Sequence, residues 1–184
     1  MEKNTLYINL FGGPGTGKST LCGAIFTELK RRGIDCEMAL EYAKDLVWEK
    51  SFEKIKNQQY IFGKQHNRLF RLHNQLHVVI TDSPLINSIV YYTGNNPYFG
   101  KNVLWEFNQL NSLNYYLNRS FEYIENGRMQ TLDEAIQVDI TYKNLLNDNN
   151  IPYYDVMSGL ESIDQIVNDI LKKLEFQKEI VPLV

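Results

Sequence analysis

The sequence has little cysteine, no long apolar run and almost no excess charge, and each shortage excludes a class of protein. Its two cysteines, Cys22 and Cys36, supply neither a disulfide framework nor a metal cluster. We expect both to be small core residues of a protein in a reducing, cytoplasmic compartment. No apolar run reaches the roughly 18 residues of a membrane-spanning helix, and the chain leads at once into a predicted strand. We therefore expect neither a membrane anchor nor a signal peptide.

The charge balance argues against a nucleic acid as the main partner. The net charge is −3 and the isoelectric point is about 5.6, whereas broad electrostatic binding to a phosphate backbone needs a basic surface. Hydrophobic residues make up 43% and aromatic residues 12% of the chain, as in a folded globular protein. Without an internal repeat or a low-complexity linker, residues 1–184 are interpreted as one domain. The sequence leaves a homodimer open.

A glycine-rich stretch between a predicted strand and a predicted helix carries the strongest functional signal. Residues 12–19 fit the pattern G-x-x-x-x-G-K-[ST], and the apolar run Leu6–Phe11 precedes them, as a phosphate-binding loop requires. Glycines let backbone N–H groups point at phosphate oxygens, and Lys18 is expected at the β- and γ-phosphates with the Ser19 hydroxyl on Mg²⁺. The residues predicted to contact a nucleoside triphosphate are Gly12, Gly13, Pro14, Gly15, Thr16, Gly17, Lys18, Ser19 and Thr20.

Two carboxylates follow predicted buried strands. Glu41 comes directly after residues 36–40, and Asp82 ends the run at residues 77–82. Ligands of an open parallel sheet bind beyond the carboxyl ends of the strands, so both side chains are expected in the site. Each is a candidate for the catalytic base and for contact with the substrate, and Asp82 is also a candidate Mg²⁺ ligand.

Both carboxylates also have a structural alternative. Glu41 suits the start of a helix, where an acidic side chain is favoured. Asp82 suits a capping position, although Ser83 as the N-cap and Pro84 as the first helical residue already fill that role. The pattern predicts that the helix opened by Ser83 continues to Gly94.

A stretch rich in amides and aromatic residues, 57–76, is predicted to be helical. Its apolar positions form one stripe, and the opposite face presents Gln59, Phe62 and Gln65. Amides can pair with the edge of a nucleobase and an aromatic ring can stack on it, so these three are candidate substrate-binding residues. A solvated helix face is the equally weighted alternative.

Two arginines bracket a segment with little apolar periodicity. Arg119 follows a predicted strand, and Arg128 follows the flexible pair Asn126-Gly127. We expect residues 119–131 to close as a lid and to bring both cations to the transferring phosphate, since closure would exclude water as a competing acceptor. The alternative is that both arginines are solvated surface residues. Thr131 to Glu134 form a capping box that predicts a helix to about Asn147.

Strands and helices alternate along the whole chain. This alternation predicts a three-layer α/β/α sandwich around a parallel sheet, with right-handed crossovers. The five predicted strands are residues 5–11, 36–40, 77–82, 113–117 and 152–156.

The sequence resembles the small P-loop nucleoside and nucleotide kinases, particularly the group with the nicotinamide riboside kinase domain and many phage-encoded kinase-like ATPases. The resemblance extends to about Gly159. It depends on the loop, on a tetrapeptide after the second strand, on the amide-rich helix, on the end of the third strand and on the lid. The segments concerned are 12–20, 41–44, 59–65, 81–84 and 127–128.

That resemblance implies a five-stranded sheet in the order 2-3-1-4-5 and an ATP- and Mg²⁺-dependent kinase. The acceptor would be a small molecule of the deoxynucleoside, deoxynucleotide or nicotinamide riboside type. One departure leaves the acceptor open, because Ser83-Pro84 follows Asp82 where deoxynucleoside kinases usually have an arginine. The competing interpretations are an ATPase or switch protein that acts on a partner, and a kinase that acts on a hydroxyl within a nucleic acid.

Overall fold

Five strands form one parallel sheet in the order β2-β3-β1-β4-β5, in a computed structural model that describes residues 4–120, 131–159 and 161–180. All four strand pairs are parallel. The predicted fold class and strand order are therefore confirmed. The strands are β1 Leu6–Phe11, β2 Cys36–Met38, β3 Val78–Thr81, β4 Ser112–Asn118 and β5 Tyr154–Met157.

Helices cover both faces of the sheet. Within the described residues they are α1 Lys18–Arg31, α2 Tyr42–Trp48, α3 Phe52–Lys56, α4 Gln58–Phe70, α5 Asn87–Val90, α6 Phe99–Asn108, α7 Leu132–Asp148 and α8 Ser162–Ile180. None of these described helices is both long enough and apolar enough to cross a bilayer.

The central strand β1 is buried on both faces because its side chains alternate between two cores. Leu6, Ile8 and Leu10 pack with the apolar stripes of α1 and α8. Tyr7 and Phe11 pack on the other face with residues of α4, α6 and α7. Cys22 and Cys36 are free and buried in the first of these cores, as predicted.

The capping box at the start of α7 is confirmed. Glu134 N donates to Thr131 Oγ1 at 3.3 Å, and Thr131 N donates to the Glu134 carboxylate at 2.8 Å. This reciprocal pair satisfies two of the backbone donors that the first helical turn leaves without partners. The helix then runs to Asp148, close to the predicted end.

The predicted helix start at Ser83-Pro84 is wrong. The helix α5 begins only at Asn87, with Ile86 at its N-cap, and it ends at Val90 rather than at Gly94. Ser83 N donates to Thr81 Oγ1 at 3.1 Å, and Ser83 Oγ accepts from Asn87 Nδ2 at 3.2 Å. Because the serine hydroxyl is used by a side chain, it caps no helix, and the following residues form a turn that buries Leu85 and Ile86.

Candidate functional site

The loop between β1 and α1 adopts a backbone that only glycine accommodates at several points. Gly12, Gly15 and Gly17 have φ values of 142°, 79° and 79°, a range that side chains disfavour. A Cβ on Gly12 would also lie 2.7 Å from Thr16 Oγ1 and 3.1 Å from Leu117 O. The glycines of the motif are therefore required by the shape of the loop itself.

The loop presents a run of unused backbone donors. No described residue accepts a hydrogen bond from the backbone N–H groups of residues 15–19, and the last of these form the first turn of α1. A helix N-terminus also carries a partial positive charge. Successive N–H groups at such a point are a suitable cradle for an anion, and the residues present therefore fit a bound phosphate chain.

Lys18 lies folded against the same loop. Its Nζ donates to Gly12 O at 2.6 Å and to Gly13 O at 2.8 Å. Burial lowers the pKa of Lys18, while the negative charges of Glu41 and Asp82 act in the opposite direction. The ammonium group therefore lies between the loop and the two carboxylates that the sequence analysis selected.

Glu41 and Asp82 are brought together because β2 and β3 are neighbours and end at the same edge of the sheet. Glu41 N donates to Asp82 Oδ1 at 2.9 Å. Thr81 Oγ1 donates to Ala39 O at 2.7 Å, which ties the two strand ends. Burial raises the pKa of both carboxyl groups, and Lys18 opposes this shift in each case. Both carboxylates line one cavity together with loop residues, and their predicted catalytic roles stay predictions.

A cavity of about 400 Å³ extends from the loop past the two carboxylates. It continues into a compartment lined by residues of α2, α3, α4 and α5, and the cavity as a whole has the volume of a small-molecule site. Apolar and aromatic side chains make up much of this compartment, with a few amides and one lysine. Its lining residues are Ala43, Lys44, Val47, Trp48, Ile55, Gln58, Ile61, Gln65, Pro84, Asn87, Ser88, Tyr91 and Tyr142.

The loop end of the cavity also offers oxygen ligands for a cation. Ser19 and Asp82 both line it, and hydroxyl and carboxylate oxygens are ligands that Mg²⁺ accepts. In phosphate sites Mg²⁺ is commonly held by one or two protein oxygens together with phosphate oxygens and water. The two residues therefore fit the predicted metal role.

Comparison with known families agrees with this site. A family model described as an AAA domain matches residues 7–165, a span that contains the loop, both carboxylates and every residue that lines the cavity. The chain belongs to this AAA domain family. AAA domains of the P-loop type bind a nucleoside triphosphate with Mg²⁺ and hydrolyse it or transfer its phosphate. A search of curated proteins finds no match to the chain.

The AAA domain does not place all three predicted substrate residues in the cavity. Gln59 is exposed, and Phe62 packs edge-on against Phe99 with ring centroids 5.9 Å apart; neither lines the cavity. Gln65 does line it, but both ends of its amide are used, since its Oε1 accepts from Tyr42 N and its Nε2 donates to Ala39 O.

Gln58 is the residue that the sequence analysis missed on this helix. It is 6% exposed and lines the cavity together with Ile61 and Gln65. These positions recur at intervals of three and four residues and so share one face of α4. Gln58 Nε2 donates to Ile55 O at 2.9 Å, the one hydrogen bond of its side chain to a described residue. The sequence contained the adjacent pair Gln58-Gln59 but no signal for which amide faces inward.

Arg119 lies beside the loop and contacts its backbone. Its Nη1 donates to Pro14 O at 2.7 Å and its Nη2 to Asp139 Oδ2 at 2.7 Å. It is not among the cavity-lining residues. The structure therefore places this arginine against loop backbone and a carboxylate, and its predicted contact with phosphate stays a prediction. Arg128 and most of the predicted lid, residues 121–130, lie outside the described residues.

We expect Asp82→Asn to stabilise the AAA domain at neutral pH. Burial raises the folded-state pKa of Asp82 above its unfolded value, so the folded state binds more protons, and stability falls as pH rises through the folded pKa. Asparagine has the same shape and can still accept from Glu41 N. We expect the melting temperature at neutral pH to rise by roughly 2–4 °C, the effect of about 1 kcal/mol in a domain of this size.

The measurement is thermal unfolding of both proteins between acidic and neutral pH. The gain should shrink as pH falls, because the wild-type carboxyl group is then protonated as well. A variant that is less stable than wild type at neutral pH would contradict the assignment of Asp82 as a desolvated carboxylate.

Proposed function

We propose that this protein is an ATP- and Mg²⁺-dependent kinase that transfers the γ-phosphate to a hydroxyl of a nucleoside or nucleoside monophosphate. The observation that carries the proposal is the compartment beyond the phosphate loop. Asp82, which is buried, and Glu41, which is partly buried, line the same cavity as the loop, and the cavity continues past them between apolar, aromatic and amide side chains. An enzyme that only hydrolyses ATP has no need for a compartment of this kind, since water is its acceptor.

The groups around the cavity match the few parts that phosphoryl transfer requires. Loop N–H groups and Lys18 bind and neutralise the phosphate chain. Mg²⁺, held through Ser19 and Asp82, would add positive charge at the phosphates. In the reaction the acceptor hydroxyl gives its proton to a carboxylate, its oxygen bonds to the γ-phosphorus, and ADP leaves with the electrons of the broken P–O bond.

We assign the role of catalytic base to Glu41 and the role of Mg²⁺ ligand to Asp82. Asp82 Oδ1 already accepts from Glu41 N, which holds that carboxylate in one orientation at the end of β3. No described residue donates a hydrogen bond to the Glu41 carboxylate, which lines the cavity. Burial raises the pKa of the Glu41 carboxyl group, and a carboxylate whose pKa is raised is a stronger base.

The lining supports a flat, partly polar acceptor. Trp48, Tyr91 and Tyr142 provide aromatic surface, and Gln58 and Asn87 provide amides. Aromatic rings and amides suit the face and the edge of a nucleobase or of a nicotinamide ring. The resemblance to nucleoside kinases points to the same acceptors, of the deoxynucleoside, deoxynucleotide or nicotinamide riboside type.

An ATPase or switch protein that acts with a protein or nucleic-acid partner is the second candidate. The match to an AAA domain favours it, because that match supports nucleotide binding without naming an acceptor. In this case the compartment would serve only to admit water and to respond to the partner.

The two candidates differ in what happens to the phosphate. We expect that incubation with labelled ATP, Mg²⁺ and a panel of nucleosides, nucleoside monophosphates and nicotinamide riboside gives one labelled acceptor, formed in equal amount to ADP. A control without acceptor measures hydrolysis alone. Release of inorganic phosphate at the same rate with every acceptor would contradict the kinase. A parallel reaction with an oligonucleotide as acceptor tests the remaining interpretation, and labelling of the oligonucleotide alone would identify a nucleic-acid kinase.

A further inference from the structure

A pair of charged residues that do not line the cavity contacts the backbone of the phosphate loop. Asp139 on α7 and Arg119 after β4 form an ion pair at 2.7 Å, and we call this pair the loop anchor. Each partner also contacts the loop backbone. Asp139 Oδ1 accepts from Gly13 N at 2.6 Å, and Arg119 Nη1 donates to Pro14 O at 2.7 Å. The loop anchor therefore binds the N–H group of Gly13 and the carbonyl oxygen of Pro14, which are consecutive loop residues.

The Asp139 carboxylate accepts from Gly13 N and Arg119. The hydroxyl of Tyr116 also lies against Asp139, 3.1 Å from its carbonyl oxygen and 3.2 Å from Oδ1. The side chains of Asp139 and Arg119 are 21% and 16% exposed, so water competes little with these contacts. Charge-assisted hydrogen bonds in such a setting are stronger than neutral ones and hold their geometry closely.

The approach of α7 to the loop is so close that position 13 admits no side chain. A Cβ on Gly13 would lie 2.6 Å from Asp139 Oδ1 and 2.8 Å from Ala135 O. The backbone φ of Gly13 is not in the positive range that glycine favours. The glycine at this position is therefore explained by contact with Asp139 and α7 rather than by its own conformation.

Gly13 connects the loop anchor to Lys18. Its N–H is bound to Asp139, and its carbonyl oxygen accepts from Lys18 Nζ at 2.8 Å and from Thr16 Oγ1 at 3.0 Å. The peptide groups on either side of Gly13 are thus held from both sides of the loop. A shift of Asp139 would move the carbonyls against which the phosphate-binding lysine rests.

We propose that Asp139 is a positioning residue for the nucleotide site, which sets the conformation of the phosphate loop through Gly13 N. It acts on the phosphates only through the loop, since it does not line the cavity. The inference depends on nucleotide binding at the loop and not on the identity of the acceptor. Failure of the kinase proposal would leave it untouched.

The test separates the shape of Asp139 from its charge. Asp139→Asn keeps an oxygen at the same reach for Gly13 N–H but removes the charge, whereas Asp139→Glu keeps the charge and displaces the oxygens by one methylene group. We expect Asp139→Asn to lose less affinity for ATP and ADP than the other two variants, because it keeps an acceptor for Gly13 N–H and gives up only the ion pair with Arg119. We expect Asp139→Glu and Asp139→Ala to bind both about tenfold more weakly or worse, the factor expected for one charge-assisted hydrogen bond.

Affinity is measured by calorimetric titration with ATP and with ADP, at a temperature where circular dichroism shows that each variant is folded. The matched control is Asp148→Ala, an exposed carboxylate at the end of the same helix. A merely structural role would lower the melting temperature and leave the affinity of the folded protein unchanged, which would overturn the proposal. Loss of affinity in Asp139→Asn with retention in Asp139→Glu would overturn it as well, because charge and not position would then matter.

Discussion

Replacing Lys18 with alanine is expected to reduce phosphate transfer from ATP by about 10²–10³-fold, the usual cost of removing one preorganised charge contact to a transition state. Lys18 is the one lysine that touches the phosphate loop among the described residues, with Nζ on the carbonyls of Gly12 and Gly13. The developing charge on the β- and γ-phosphates would lose this neutralisation. The measurement is the rate of ADP formation at saturating ATP.

The matched control is Lys30→Ala. Lys30 lies on the same helix, in its exposed last turn, so its loss tests the general effect of removing one positive charge from α1. The Lys30→Ala variant should form ADP at the wild-type rate. Near wild-type turnover of Lys18→Ala would exclude residues 12–19 as the phosphate-binding loop of this protein.

The second large effect is expected from Glu41→Gln. If Glu41 accepts the proton of the acceptor hydroxyl, glutamine should lower the transfer rate by about 10²–10⁴-fold, the range for a positioned general base. Binding of ATP and its slow hydrolysis by water should be unchanged, because both depend on the loop and the metal. Initial rates with and without acceptor, together with ATP affinity, give all three quantities.

Two further variants are compared with Glu41→Gln. Asp82→Asn removes the other carboxylate of the site, and Glu37→Gln is the control for loss of a carboxylate outside it. Asp82 is assigned to the metal, so its replacement should lower transfer and hydrolysis together and raise the Mg²⁺ concentration that both require. Glu37 is an exposed carboxylate on β2, near Glu41 in sequence but outside the cavity lining. Equal loss of transfer and hydrolysis in Glu41→Gln would contradict its role as the base.

Much of the fold could be predicted because its signals are local. Alternating apolar strands and amphipathic helices specified a parallel α/β sandwich, and the resemblance to P-loop kinases supplied the strand order that the structure shows. Local sequence signals also identified the phosphate loop, Glu41 and Asp82 as candidate site residues. In a parallel sheet the residue after each strand necessarily lies at the carboxyl edge, so position along the chain predicts position in the site.

Local patterns were insufficient where a side chain has two possible partners. Ser83 and Pro84 have the residue types of a helix start, yet the hydroxyl of Ser83 accepts from Asn87 Nδ2 and the helix begins four residues later. Burial of Leu85 and Ile86 fixes that turn against the core. Packing against the core outweighed the local preference for a helix. Such packing depends on residues distant in the sequence and cannot be recognised from a short segment.

The sequence by itself determined the phosphate loop and the strand–loop–helix order around it, because glycine, lysine and serine at this spacing have one common structural use. Only the tertiary structure decided which amide of α4 faces the cavity, since one residue turns a side chain by about 100° around a helix. It also decided the partner of Gly13. Asp139 lies 126 residues away along the chain, and α7 reaches the loop because it packs with α4 and α6 on one face of the sheet.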